Sequence, residues 1–250
     1  MDLGLITTMP LIDLQCHFGV TPTALAVRPP DLAQAKAYAD QFGVEVLCFA
    51  SDEATTDLDG GNARLAQALA SDARFRGWLT LSVHQPAQSQ DLARQYLTRS
   101  VWCGARFDQE TDADAVNSAG GHEVINALRR YGRPVLLTVS SPSTLHAAIE
   151  AAREFHTLRF VLSPQNEGLT TDALPAIKET LNVSLLPVAA FSERDAIAQA
   201  VATISERRVL WGSNWGRYHP AAAVGMIRDS AITGLQRERI VYRNAKELLS

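Results

Sequence analysis

Eight times along its 250 residues this chain passes from a short β-branched or apolar run to a longer segment whose apolar residues recur at helical spacing. Such alternation constrains the fold, because parallel strands need a crossover of a dozen or more residues between them and a helix is the usual one. The spacing predicts strands over 10–17, 45–50, 76–83, 102–107, 134–139, 159–164, 183–189 and 208–213. It predicts helices over 31–42, 62–71, 89–99, 121–131, 143–155, 170–181 and 192–204, with a closing pair over 220–230 and 236–249. Eight βα units close naturally into a (β/α)8 TIM barrel, an α/β fold. A doubly wound open sheet is the competing arrangement, but Phe18-Gly19-Val20-Thr21-Pro22 is not the Gly-rich first turn of a dinucleotide site.

Boundary residues agree with this count. Pro29-Pro30-Asp31 reads as the start of the first helix, Ser141-Pro142-Ser143 as that of the fifth, and Ser192 with Asp195 as a cap for the seventh. Residues 1–8 read as a tail and 9–250 as one domain, since no linker, repeat or low-complexity stretch divides the chain. With 46% hydrophobic and 20% charged residues the chain has enough apolar material for one full core.

Several function classes fall away. A net charge of -4 gives no basic footprint for nucleic acid or an anionic membrane. No apolar run approaches the roughly 20 residues that span a bilayer, and the N-terminal residues lack a signal peptide's positive region, so a cytoplasmic protein is expected. Cys16, Cys48 and Cys103 are odd in number and fall inside predicted strands, which suits reduced, buried thiols. Lys36, Lys178 and Lys246 are the only lysines and all fall in predicted helices. That argues against a Schiff-base lysine, or one bridging two metals, at the barrel mouth.

In a parallel barrel the chemistry is built at the carboxyl ends of the strands. Strand alternation places Asp13, Gln15 and His17 on one face and Leu14, Cys16 and Phe18 on the other. By the same parity Gly104, Arg106 and Asp108 share a face, as do Leu136, Thr138 and Ser140, and Leu210, Gly212 and Asn214. Polar side chains therefore converge on one mouth. Asp52, Glu53, His84, Gln85, Ser140 and Gln165 follow strands at the level of substrate contact, and Trp102, Trp211 and Trp215 could wall a flat ligand.

The opening Ile12-Asp13-Leu14-Gln15-Cys16-His17 and the late Trp211-Gly212-Ser213-Asn214-Trp215 carry a family resemblance. So do Gly104-Ala105-Arg106-Phe107-Asp108, Arg159-Phe160-Val161-Leu162 and the closing Arg243-Asn244-Ala245-Lys246-Glu247-Leu248-Leu249. Together they resemble the amidohydrolase-related family, most of all its small-molecule lactonases of the 2-pyrone-4,6-dicarboxylate lactonase type. The resemblance implies a metal-hydrolase barrel with an Asp-x-His-x-His first strand and an aspartate on the eighth. Here Gln15 stands for one of those histidines and Asn214 for the aspartate. The fifth-strand histidine position falls at Thr138 and the sixth at Ser163 or Pro164. One of five ligands, His17, is left, so neither a bound metal nor another cofactor is expected.

The expected activity is therefore that of a metal-independent hydrolase or lyase acting on a small cyclic ester, amide or carboxylate. His17 or Asp108 would handle the proton, while Asn214 and Gln15 would donate hydrogen bonds to developing negative charge. Arg106 would bind the substrate anion or pair with Asp108. Arg217, Tyr218 and His219 would fold over the mouth, with His84, Thr138, Ser140 and Gln165 as further substrate contacts. The alternative is a barrel that keeps the pocket as a ligand-binding pseudoenzyme, or one repurposed as an isomerase or cyclase. The expected partner is a small anionic or cyclic molecule, and a homodimer is possible for such barrels.

Overall fold

The structure, a computed structural model, describes residues 9–20, 31–109, 111, 114–188, 193 and 195–250. Seven parallel strands lie in sequence order: β1 (Leu11–Phe18), β2 (Val44–Ser51), β3 (Phe75–Thr80), β4 (Trp102–Gln109), β5 (Val135–Val139), β6 (Phe160–Pro164) and β7 (Val183–Leu185). The helices are α1 (Leu32–Phe42), α2 (Leu58–Leu69), α3 (Pro86–Tyr96), α4 (Ala119–Leu128), α5 (Pro142–Glu154), α6 (Leu169–Glu179) and α7 (Ala196–Ile204). They are followed by α8 (Ala221–Asp229), α9 (Gly234–Glu238) and α10 (Asn244–Leu249). This is the α/β barrel architecture expected from the alternation.

The ring closes without a regular eighth strand, which corrects the expectation for 208–213. That segment forms an isolated bridge, Val209 with Leu185, and Trp215 just beyond it bridges Cys16. Its backbone still reaches both neighbours, with Leu210 N donating to Leu185 O at 2.8 Å and His17 N donating to Trp215 O at 2.8 Å. The seventh strand is also shorter than the 183–189 expected. Residues 189–192 lie outside the described residues, as do the 1–8 tail, Pro29, Pro30 and the Ser192 cap.

Helix starts follow from local chemistry. The Asp31 side chain accepts from Ala33 N and Gln34 N while Gln34 reaches back to Asp31 N, a reciprocal cap for α1. Gly43 ends that helix at φ 67°, a left-handed conformation that costs glycine little. Ser141 caps α5 and Pro142 occupies its first turn. Asp195 precedes α7 without a side-chain cap bond. Lys36, Lys178 and Lys246 all lie on helices, as expected.

Two apolar layers result. Ile12, Leu14, Cys48, Trp78, Cys103, Leu136, Val161, Leu186 and Leu210 form one buried cluster drawing on β1 to β6, on the residue that follows β7 and on the eighth segment, the filling of the barrel. The Trp78 indole donates to Leu14 O at 2.8 Å, satisfying its buried N–H. A second cluster packs the outer faces of the strands against the helices. Cys16 belongs to that outer layer, and the three cysteines are free and buried. Among the described residues no helix is long and apolar enough to cross a membrane.

Candidate active site

The site begins with an irregularity in β1. Its pairing with β2 shifts register between Asp13 and Cys16, which changes the alternation of side chains along the strand. Asp13 therefore parts from Gln15 and His17, contrary to simple parity. Its carboxylate accepts from Tyr38 Oη on α1 at 2.8 Å, from Ser213 N at 2.9 Å, from Gln15 N at 3.2 Å and from Ser213 Oγ. Burial pushes its pKa above the ordinary value, and the donated hydrogen bonds pull it back.

Gln15 and His17 meet Asn214 of the eighth segment. His17 Nε2 lies 2.5 Å from Asn214 Oδ1, and Gln15 Nε2 donates to the same oxygen at 3.3 Å. Asn214 adopts φ 57°, a left-handed conformation uncommon outside glycine but accessible to asparagine. On the far side of Gln15, Ser163 Oγ donates to its Oε1 at 2.7 Å, and Gln165 Nε2 donates to Ser163 Oγ at 2.9 Å. Of the two sixth-strand positions, Ser163 is the one that joins this network.

Asp52, the first residue after β2, accepts from His17 Nδ1 at 2.7 Å and from Arg217 Nη2 at 3.1 Å. Burial disfavours its charge, yet the His17 charge and hydrogen bond, with Arg217 and Arg106, hold the carboxyl below its ordinary value. For His17, burial is the largest influence and favours the neutral ring, Asp52 opposes it, and Arg217 and Arg106 add to the effect of burial.

Arg106 is wholly buried on β4. Its Nη2 donates to Asp108 Oδ2 at 2.6 Å, while Nε and Nη1 have no partner among the described residues. The Thr138 hydroxyl donates to Asp108 Oδ1. Burial raises the Asp108 pKa, but Arg106 and Thr138 outweigh it and the carboxyl is held below its usual range. Thr80, the register partner of Arg106 on β3, also has a buried hydroxyl without a partner.

A cavity of about 230 Å³ is lined by residues that include Asp52, Thr80, His84, Phe107, Asp108 and Arg217, whereas Gln15, His17, Arg106 and Asn214 are buried and do not line it. His84 pairs with Asp114 at 3.0 Å on its rim. Ser140 Oγ donates to Gln109 O at 2.9 Å, and Ser140 does not line this cavity. Tyr218 and His219 do not line this cavity; with Gln34, Tyr38 and Trp215 they line a shallow depression against α1. Of the three residues expected to fold over the mouth, Arg217 is the one that lines this cavity. Nor do the tryptophans wall the cavity: Trp102 and Trp211 are core residues, and Trp215 stacks on Tyr38 at 6.2 Å.

Sequence reasoning placed Asp52 only among possible contacts, and it missed Thr80 entirely. A charged residue closing the apolar run Leu47-Cys48-Phe49-Ala50 was the available signal for Asp52. Nothing marked Thr80, because threonine is ordinary in strands.

A family model described as "Amidohydrolase" matches residues 16–250. This chain belongs to the amidohydrolase family. The amidohydrolase-family barrel is similar in fold to a 2,6-dihydroxybenzoate decarboxylase from Rhizobium, with TM-score 0.77 and 15% identity over 96% of this chain and 98% of that one. It is also similar to a 5-carboxyvanillate decarboxylase from Sphingomonas paucimobilis, with TM-score 0.76 and 14% identity over 96% and 99%. The 5-carboxyvanillate decarboxylase of Novosphingobium aromaticivorans, solved with manganese and a nitrobenzoic acid, gives TM-score 0.76 and 14% identity over 100% and 99%. A comparison with curated protein sequences finds no match.

A divalent metal requires several imidazole, thiolate or carboxylate donors. The corresponding positions of this amidohydrolase-family chain offer two amides (Gln15, Asn214), two hydroxyls (Thr138, Ser163) and one imidazole already engaged by Asp52 and Asn214. Among the described residues no group of three or more His, Cys, Asp or Glu is arranged to hold a metal. This donor set does not fit a transition metal.

Proposed function

We propose that this amidohydrolase-family barrel is a metal-independent hydrolase or lyase of a small carboxylate-bearing molecule, taken up at the mouth of the barrel. One observation carries the reading: the buried Arg106 guanidinium leaves Nε and Nη1 unpaired among the described residues. Unmade hydrogen bonds on a buried cation are costly, and a substrate carboxylate is the group that completes them with charge as well as geometry. The Thr80 hydroxyl beside it, without a partner among the described residues, adds a donor, and Arg217 supplies a second cation at the cavity wall.

In this reading Arg106 and Arg217 orient the carboxylate, Asp108 and His17 handle the proton, and Gln15 and Asn214 hydrogen-bond to charge that develops during reaction. The decarboxylases of similar fold support an aromatic carboxylate as the first substrate to try, with cyclic esters of the lactonase kind next. Incubating the protein with a panel of hydroxybenzoates and carboxylated lactones, followed by mass spectrometry, tests this. Loss of carbon dioxide identifies a lyase and gain of water a hydrolase. No conversion of any member, together with unchanged binding of benzoates by an Arg106→Met variant, would sink the proposal.

The engagement of His17 Nε2 by Asn214 favours one second reading, a ligand-binding barrel without turnover. Saturable binding of a carboxylate by calorimetry without any product would select it.

A further inference from the structure

The cavity lies where one pair of strands stops short. β2 pairs with β3 only as far as Ala50 and Trp78, whereas β1 stays paired with β2 to Ser51 and β4 stays paired with β3 to Thr80. Beyond Ala50 the two chains separate, and the cavity occupies the wedge between them, with Asp52, Ala54 and Thr55 on one wall and Thr80, Leu81 and Val83 on the other. Backbone groups alternate in direction along a parallel strand. Leu81 N donates to Arg106 O on β4 at 2.9 Å, so the N–H and C=O of Thr80 face the wedge, where β2 no longer meets them.

Asn62 on α2 meets them instead. Its Oδ1 accepts from Thr80 N at 3.1 Å, and its Nδ2 donates to Thr80 O at 2.9 Å and to Leu58 O at 2.8 Å. A backbone N–H only donates and a carbonyl only accepts, so this amide has one orientation. Asn62 is wholly buried, and the residue before it, Gly61, sits so close to the opposite wall that a Cβ there would collide with the Ala54 backbone. One helix therefore holds both walls of the wedge. The Thr80 hydroxyl is buried, has no partner among the described residues, and shares the inward face with its register partner Arg106. An unmade hydrogen bond on a buried hydroxyl is costly, and a ligand oxygen in the wedge is the group that makes it.

We propose that Asn62 is a positioning residue: it replaces the pairing that β2 leaves undone and so presents the Thr80 hydroxyl to an acceptor oxygen of a ring-bearing ligand bound between the ends of β2 and β3. This rests on the reading of the cavity as the substrate site. Leu81, Val83 and Phe107 supply apolar surface for the ring. Without the Asn62 amide, the Thr80 N–H and C=O lose their partner and the hydroxyl loses its fixed direction.

The test is a double-variant cycle read by calorimetry, with benzoate as the charged probe and benzamide as a neutral ring bearing a carbonyl acceptor. Thr80→Val, which keeps the shape and removes the hydroxyl, is expected to weaken binding about tenfold, and Thr80→Ser to hold it within about threefold of wild type. Asn62→Ala is expected to weaken binding about tenfold on its own and less than about twofold in the Thr80→Val background, because it acts through the hydroxyl that background lacks. A merely structural Asn62 gives the same loss in both backgrounds, and that result overturns the positioning role. Unchanged affinity in Thr80→Val, or binding of neither probe, overturns the whole proposal. If Asn62→Ala does not fold, nitrogen-15 spectra of the wild-type protein decide. The Asn62 side-chain amide and the Thr80 N–H are expected to shift together on saturation with probe, and an Asn62 amide that stays in place overturns the role. The functional reading fails separately: Thr80-dependent binding of benzamide, with no carboxylate bound or converted, leaves the roles of Asn62 and Thr80 standing and removes the carboxylate substrate.

Discussion

The Asp13 carboxylate accepts the Ser213 backbone N–H at 2.9 Å, tying the first strand to a segment 200 residues away where no regular strand closes the ring. The same carboxylate holds Gln15 N and Tyr38 Oη, so one buried side chain fixes the β1 irregularity, the outer helix and the turn that carries Asn214.

Asp13→Ala is therefore expected to destabilise the protein by about 3–5 kcal/mol, because it strands several buried donors at once. Asp13→Asn, which keeps an acceptor, should cost clearly less. Urea denaturation of the two variants checks this, and equal losses would refute the role given to the hydrogen bonds.

Removing Arg106 leaves the buried Asp108 carboxylate with the Thr138 hydroxyl as hydrogen-bond donor but without its adjoining guanidinium. Arg106→Met is expected to cost about 3–5 kcal/mol, and adding Asp108→Asn should recover part of that loss. Additive losses in the double variant would show that the pair is not coupled.

The pH dependence has a definite sign. Asp52 and Asp108 have folded pKa values below their unfolded ones, so the stability they contribute is present above the ordinary carboxylate pKa and is lost as pH falls through the folded values. Asp13, raised, works in the opposite sense: its contribution is fullest below the ordinary value and is lost as pH rises through its folded pKa. Asp72 and Asp114 are depressed as well, so depressed carboxyls outnumber the one raised and melting temperature should fall on acidification below about pH 4. The fall should be shallower in Asp108→Asn. Thermal melts across that range decide the matter, and a steeper fall in the variant would contradict it.

Gln15 and Asn214 both contact the His17 neighbourhood within hydrogen-bond distance. The double substitution Gln15→His with Asn214→Asp supplies three protein ligands together with His17, the usual minimum for zinc with water in the fourth position. Protein from zinc-supplemented culture should carry near-stoichiometric metal in the double variant and far less in wild type. Elemental analysis by mass spectrometry reads the difference, and a metal-loaded wild type would show that the donor set has been misjudged.

The chain's periodicity alone determined the barrel. Apolar runs separated by helical segments of crossover length leave few other ways to bury both faces of a parallel sheet. It also marked Gln15, His17, Arg106, Thr138 and Asn214 as strand-end groups, since parity and position are local properties. It did not determine that Asp13 parts from Gln15 and His17, that 208–213 bridges both neighbours without forming a regular strand, or that Tyr218 and His219 lie outside the cavity. Those outcomes depend on register and on which residues distant in sequence come to share a hydrogen bond. Asp52 became a partner of His17, and Arg106 kept two nitrogens without a partner among the described residues, only when strands 35 and more residues apart were brought side by side. Pairings of that kind are made by the closed ring and have no signature in a window of sequence.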